Sequence, residues 1–441
     1  MDMEHQDQEY ERDEQLLEAR RLKRLEQKRK RKMQQRIVLG VLLIILVLII
    51  VLVVKGCRSD KTPASEEPAQ SLPAEQEQAP TVQTEPDTVV TLAAVGDIMM
   101  YDEQIEDAKQ EGGGYDFTGC FSAVSGLTAS ADITVGNLEL NFCGEPYSGF
   151  PSFCAPEVLA DTLRTIGFDV LQTANTYSIM NGVSGLESTL RYLDTAGLAH
   201  VGTYASAEDR ETNGGVLLKN VNGVKIAFIG FTKGVNSLTL PEGSEYAVNL
   251  LYTDYSTDYS KINSKAIVSA VESAKALKPD VIVAMLHWGS EYSTDVDAGQ
   301  EQIATMLLEN GVDVILGSHS HIVGKMETRN VTTVDGEEKT CFVAYSLGNF
   351  CAIKKQDYTD ESVVLNLEFT KNGETGKTSI TNISYTPLYI MDAGEEADER
   401  FQVLPVRSAI TSGLFEQKQQ ALTDAIAHLR ANTASDYDSG K

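Results

Sequence analysis

The chain has 441 residues, 42% of them apolar, which is enough for a large core and for more than one domain of ordinary size. Its formal net charge is −27, unevenly spread: residues 1–36 hold eleven Lys/Arg and nine Asp/Glu, leaving 26 Lys/Arg against 55 Asp/Glu, a formal −29, for the rest. So acidic a remainder excludes a general electrostatic affinity for nucleic acid, and an anionic substrate bound there would need a local positive centre.

Within residues 1–36 the stretch EQLLEARRLKRLEQKRKRKMQQR has helix formers throughout and no breaker. A cytoplasmic juxtamembrane helix is expected, its basic face near anionic headgroups. Ile37–Val54 follows as an 18-residue apolar run with no charge. At about 1.5 Å per residue it reaches roughly 27 Å, enough to cross a bilayer core. Residues 20–36 contain ten Lys/Arg and one acid, Glu26. That bias keeps the N-terminus in the cytoplasm and sends the bulk of the chain outside. A charged leader of 36 residues is too long for the n-region of a signal peptide, so an uncleaved single-span membrane anchor is expected. Residues 55–87 then form an extended linker, because positions 57–87 carry five of the twelve prolines and no aromatic residue.

From Thr88 onward strand-like runs alternate with helical ones, which predicts an α/β layered domain over 88–395. PEVLADTLRTIG, GLESTLRYLDTAG and EQIATMLLENG show helical apolar spacing and close on glycine. VKIAFIGFT and CFVAYSLGNF read as further buried strands, and VVLNLEFTKNGETGKTSITNISYTPLYI as antiparallel strands turning at Asn372-Gly373. Residues 396–441 hold a helix, roughly Leu414 to Leu429, and a polar tail. Six cysteines make no disulfide scaffold in a chain this large. Cys143 and Cys154, with ten residues between them, are the nearest pair; whether they join depends on geometry the sequence does not show. Cys120, Cys341 and Cys351 are expected as thiols.

Five apolar runs each end on a residue able to bind a metal. TVVTLAAVGD ends on Asp97, ADITVGNLE on Glu139, FDVLQTAN on Asn175, VIVAMLH on His287, and VDVILGSHSH on His319 and His321. Open α/β sheets gather their chemistry at the carboxyl ends of strands, where the loops converge. Oxygen donors with three imidazoles suit one or two divalent transition-metal ions, and manganese, iron and zinc all accept such a set. Each residue alone also has an ordinary reading: Asp97 or Asn175 as a helix cap, Glu139 as a solvated strand exit, His287 as a hydrogen-bonded core residue. Their repeated placement carries the metal reading. Asn349, in YSLGNF, is expected to pin a turn by hydrogen bonds.

AAVGDIMM, VGNLEL, the stretch from FDVLQTAN to Gly182–Gly185, MLHWGSEY, GSHSHIV and YSLGNF occur in the order seen in the bacterial capsule-synthesis CapA/PgsA family. The chain resembles that family over roughly Val89 to Phe350. The resemblance implies a link to poly-γ-glutamate synthesis and a metallophosphoesterase-like α/β/β/α sandwich behind the N-terminal transmembrane helix. It also implies a metal site at the six strand-end residues, with polymer synthase subunits and an anionic surface polymer as partners. One departure stands out. The family's Ala-Asn-Asn-His, with Asp three residues later, is here Ala174-Asn175-Thr176-Tyr177, with Met180 in the aspartate's place. A tyrosine, with an ordinary pKa near ~10, cannot replace a pair that exchanges protons near neutrality. The resemblance therefore leaves three roles open: a capsule-synthesis component, an active extracellular metal-dependent hydrolase, and a non-catalytic scaffold of a synthase complex.

Overall fold

The alternating pattern after Thr88 resolves into two β-sheets in a computed structural model that describes residues 86–440 apart from Lys355, Leu414, Ala434 and Ser435. The basic segment 1–36, the expected span Ile37–Val54 and nearly all of the 55–87 linker lie outside these residues. Among the described residues no helix is long and apolar enough to cross a membrane.

The strands are β1 (Thr88–Ile98), β2 (Ile133–Leu138), β3 (Val170–Gln172), β4 (Ala199–Val201), β5 (Leu217–Val221), β6 (Val224–Thr232), β7 (Val281–His287), β8 (Val314–Ser318), β9 (Met326–Thr332), β10 (Glu338–Ala344), β11 (Asn349–Cys351), β12 (Glu361–Lys371), β13 (Thr378–Asp392) and β14 (Phe401–Pro405). The first sheet runs β14-β13-β12-β1-β2-β3-β4, with β11 added on β1; the second runs β5-β6-β7-β8-β10-β9. β1 to β4 are parallel to one another, and so are β6, β7, β8 and β10. The hairpin expected around Asn372-Gly373 is present as antiparallel β12–β13.

Four helices cover the outer faces: α1 (Val158–Thr165) and α2 (Gly182–Ala196) on the first sheet, α3 (Ser264–Ala276) and α4 (Ala298–Asn310) on the second. A fifth, α5 (Gln419–Thr433), packs on β12 and β13. The strand period of two divides β1 between two cores. Val90, Leu92 and Ala94 pack against Ile226, Phe228 and Val283 of the second sheet. Ala93 and Val95 face Leu159, Leu163 and Leu193 of the helices. On the far side Ala227, Ile282 and Ala284 meet Ile267, Val271, Ile303 and Leu307. Each of the buried Val, Leu, Ile and Phe side chains stabilises the fold by about 1.5–3 kcal/mol relative to exposure. The order is helices, sheet, sheet, helices.

Two sequence expectations need correction. CFVAYSLGNF is not one strand: β10 ends at Ala344 in the second sheet, and β11 starts at Asn349 beside β1 in the first. Gly348, at φ 69°, turns the chain between them, and its freedom from a Cβ makes that conformation accessible. The last helix begins at Gln419, after a short 3₁₀ turn over Glu416–Lys418, and not near Leu414.

The crossing brings two backbones together. Asp97 N–H donates to the Gly348 carbonyl at 2.9 Å, and a Cβ placed on Gly96 would lie 1.8 Å from that same oxygen. Only glycine at 96 admits this contact. We therefore expect Gly96→Ala to destabilise the protein by about 1–3 kcal/mol, as overpacking does. Gly126→Ala, which meets nothing within 4 Å, serves as the control. Denaturant midpoints of the two variants check this; an unshifted midpoint for Gly96→Ala contradicts it.

Candidate metal centre

The parallel strands of both sheets end at one place, and the predicted residues collect there. Asp97 is the penultimate residue of β1, Glu139 follows β2, His287 closes β7, and His319 follows β8 with His321 two positions on. Asp97, Glu139 and His287 have no measurable solvent exposure, and His319 and His321 are buried. One ligand atom each of Glu139, His287 and His319 lies within 4.8 Å of the others, and the same holds for Asp97, Glu139 and His321. Glu139 belongs to both groups.

The histidine turn is held in an unusual backbone. His319 and His321 adopt φ of 95° and 61°, a region costing a residue with a Cβ on the order of 1–3 kcal/mol. Surrounding contacts hold it in place. His319 N–H donates to Asp97 Oδ2 at 3.3 Å, Tyr292 N–H donates to the Ser320 carbonyl at 2.8 Å, and Ser320 Oγ donates to the Ile322 carbonyl at 2.7 Å. The resulting conformation sets the His319 ring 4.5 Å from that of His287 and 6.4 Å from that of His321.

Amide side chains fix the carboxylates. Asn137 Nδ2 donates to Asp97 Oδ1 at 2.7 Å and to Glu139 Oε2 at 3.4 Å, bridging β1 and β2. Asn175 stands behind this pair: its Nδ2 donates to the Leu138 carbonyl at 2.7 Å and to Asn137 Oδ1 at 3.3 Å, and its Oδ1 accepts from Tyr177 N–H at 3.1 Å. Asn349 does more than the expected turn-pinning. Its Nδ2 donates to the Thr359 carbonyl at 3.0 Å, while its Oδ1 lies 3.0 Å from His321 Nδ1. The β1–β11 register that pairs Asp97 with Asn349 makes this possible. His200 and His428 lie away from the centre, in β4 and α5.

The electrostatics are those of a site prepared for a cation. Burial alone would raise the Asp97 carboxyl, but the neighbouring His321 and then His287 outweigh it and hold Asp97 below the ordinary carboxylate range. Burial pushes His319 well below the usual imidazole range, with His287 and Lys233 adding to the effect, so the ring stays neutral and one nitrogen keeps its lone pair available. His321 is driven the other way: burial lowers it, but the hydrogen bond to Asp97 and the charges of Glu139 and Asp97 together outweigh burial and raise it. The most telling observation concerns Glu139 Oε1 and His287 Nε2. They sit 3.1 Å apart, yet neither makes a hydrogen bond of proper geometry among the described residues. Buried polar atoms rarely stay unsatisfied, and a place for an ion is one standard reason for the exception. Two carboxylates and three imidazoles around such orphaned atoms fit a divalent transition metal.

Sequence reasoning missed the rim. Lys233 follows the end of β6, a strand-end signal of the same kind as the others, and its Nζ donates to the Gly289 carbonyl at 2.6 Å. Glu291 Oε1 lies 4.0 Å from His321 Nε2, and Lys354 reaches Glu291 at 3.6 Å. Tyr177 lies nearby, buried edge-on against Phe153 at 4.6 Å, as Tyr101 does at 5.2 Å. Burial, then the charges of Glu139 and Glu291, raise the Tyr177 and Tyr101 hydroxyls far above the ordinary tyrosine range. Met180 Sδ accepts from Asn236 Nδ2 at 3.5 Å and offers no titratable group. Cys143 and Cys154 form a disulfide, while Cys120, Cys341 and Cys351 are thiols.

The combined His319→Ala and His321→Ala change should lower bound divalent metal and thermal stability together. At a free ion concentration about 100-fold above Kd, binding stabilises the native state by about 2.7 kcal/mol, an increment the double variant should lack. Elemental analysis with thermal unfolding in the presence and absence of chelator checks this. Unchanged stoichiometry in the variant removes these histidines from the site.

Known proteins are similar to this chain in sequence. The family described as bacterial capsule synthesis protein PGA_cap matches residues 91–354. The PGA biosynthesis protein CapA of Bacillus subtilis (strain 168) is 28% identical over 317 residues, covering 69% of this chain and 74% of its own. The capsule biosynthesis protein CapA of Bacillus anthracis is 26% identical over 330 residues, covering 73% and 70%. Among solved structures, a phosphatase from Mycoplasma pneumoniae aligns with 68% of this chain and 94% of its own, at 14% identity and a TM-score of 0.35. The matched span opens on β1, closes at Lys354 on the rim, and contains all six predicted ligand positions; on that footing the chain belongs to the bacterial capsule synthesis protein PGA_cap family.

Proposed function

We propose that this chain is a membrane-anchored, extracellular CapA-like protein acting in capsule or poly-γ-glutamate synthesis, export or attachment, with one or two divalent transition-metal ions at the strand ends of a metallophosphoesterase-like sandwich. Family membership supports the capsule role. The orphaned contact between Glu139 Oε1 and His287 Nε2 inside a buried donor set carries the metal part. Anchor, orientation and partners rest on the sequence: the apolar run Ile37–Val54, the basic flank before it and the acidic remainder. The partners proposed are synthase subunits at the membrane and an anionic surface polymer.

Asp97, Glu139, His287, His319 and His321 hold the ion; Asn175, expected as a sixth ligand, has its Oδ1 engaged by Tyr177 N–H and its Nδ2 by the Leu138 carbonyl, and with Asn137 and Asn349 it orients the others. A bound divalent ion supplies Lewis-acid stabilisation of an anionic oxygen. It is also the local positive centre that a strongly acidic domain needs before it can bind an anionic polymer. Around it the chain contributes the cations Lys233 and Lys354 and the neutral donor Tyr177. The raised Tyr177 hydroxyl keeps its proton through the physiological range. Such a hydroxyl is able to donate a hydrogen bond but takes no part in proton exchange near neutrality, and Met180 supplies no carboxylate. This favours binding and positioning of the polymer over rapid hydrolysis.

Two outcomes follow. Deleting the gene should strip anionic polymer from the cell surface, and the full chain should restore it. In the complemented cells, added protease should remove the domain beyond residue 57; a protected domain or unchanged surface polymer contradicts the reading. Second, the unmodified protein should hydrolyse an activated phosphodiester weakly at best. Tyr177→His with Met180→Asp should raise turnover, since general acid–base catalysis typically contributes about 10²–10⁴-fold. Metal content should be equal in both proteins. Robust metal-dependent turnover by the unmodified chain favours the hydrolase reading instead.

A further inference from the structure

Two thiols outside the metal centre face each other across the first sheet's helical side. Cys120 Sγ lies 3.4 Å from Cys351 Sγ, although 231 positions separate them in sequence. The residues beside them also pair: Phe121 stacks on Phe350 with ring centroids 5.6 Å apart and planes 9° from parallel. The two segments are thus aligned over consecutive positions, and both aromatic rings are fully buried. Cys351 is buried and accepts a hydrogen bond from Gln104 Nε2 at 3.2 Å. Gln104 is itself fixed, since its Oε1 accepts from Tyr101 N–H at 3.1 Å. Cys120 is only partly buried and borders a small surface cleft with Gln104, Asp107 and Phe117. Cys120 lines the cleft, and the Cys351 sulfur is held against its own.

We propose that Cys120 and Cys351 are a second disulfide site, closed by exchange with a small-molecule or protein disulfide and opened by thiols. Cys120, as thiolate, attacks one sulfur of the donor disulfide and releases the first donor thiolate. Cys351, as thiolate, then attacks the Cys120 sulfur of the mixed disulfide and releases the second. The cysteine pair loses two electrons and two protons, and the donor is reduced to two thiols. The sulfurs close from contact to the covalent distance of about 2.05 Å. The bridge ties the short strand β11, paired to β1 at Ile98, to the segment that carries Phe121. Cys351 stands two positions beyond Asn349, whose Oδ1 meets His321, so the tie fixes the strand that orients one histidine of the centre. Closing a loop this long restricts the unfolded chain strongly.

The test treats the full-length protein with oxidised glutathione, then denatures and alkylates it without reductant before peptide mass spectrometry. Beside the Cys143–Cys154 link present before treatment, the expected result is one new pair of peptides joined through Cys120 and Cys351, two hydrogens lighter than the separate thiols, and a thermal midpoint raised by several degrees. Cys341, buried and directed at the Val312 carbonyl, should be recovered as an alkylated thiol. In Cys120→Ser and Cys351→Ser the rise should disappear. Recovery of both sulfurs as alkylated thiols, or as two separate glutathione adducts, overturns the proposal; so does a thermal rise that persists in both serine variants.

Discussion

Two carboxylates without solvent exposure, Asp97 and Glu139, stand side by side at the ends of adjacent parallel strands. Removing a carboxylate from water carries an effective penalty of several kcal/mol even after relaxation, and here two like charges share one site. The surroundings answer it in part. Asn137 donates to both, His321 and the His319 amide meet Asp97, and His287 meets Glu139. The answer is incomplete at Glu139 Oε1 and His287 Nε2. On the proposed reading a divalent cation would supply the missing compensation, and without it this end of the sheets should be the part of the protein least favourably held.

Much of the architecture serves to bring these groups together. The inter-sheet core aligns two sets of parallel strands so that β1 and β2 deliver the carboxylates where β7 and β8 deliver the imidazoles. The crossing from β10 to β11 then threads Asn349 onto the C-terminal end of β1, beyond its pairing with β12, which needs the bare backbone of Gly96 beneath the Gly348 carbonyl. The turn carrying His319 and His321 stays in a disfavoured backbone region because Asp97, Tyr292 and the loop's own Ser320 hold it there. Strain of this kind persists where the surroundings over-determine it.

The parts legible in the sequence were those with strong periodicity or repeated placement. Apolar runs followed by Asp97, Glu139, His287, His319 and His321 needed only the rule that chemistry gathers at the carboxyl ends of parallel strands. CFVAYSLGNF misled because apolarity alone does not show a change of sheet; the deciding feature is a positive φ at Gly348 and a contact with residue 96, distant in sequence. Asn349 read as a turn residue for the same reason, since its second partner, His321, is brought to it only by tertiary structure. The disulfide between Cys143 and Cys154 depended on geometry that spacing does not encode. Tyr177 is the opposite case: its identity was plain in the sequence, and the structure added the burial and the nearby carboxylates that keep its hydroxyl protonated.

The proposed function separates the centre's ability to bind from its ability to catalyse. Every imidazole and carboxylate of the donor set is present, while the residues that would exchange protons are a buried tyrosine and a methionine. The most direct measurement is anomalous diffraction at a metal absorption edge, from crystals of the protein grown with a divalent transition ion. The account predicts a peak bounded by Glu139, His287 and His319, with Glu139 reaching toward Asp97 and His321. Density that stays empty there at saturating ion, with Glu139 and His287 joined by an ordinary hydrogen bond, would contradict it.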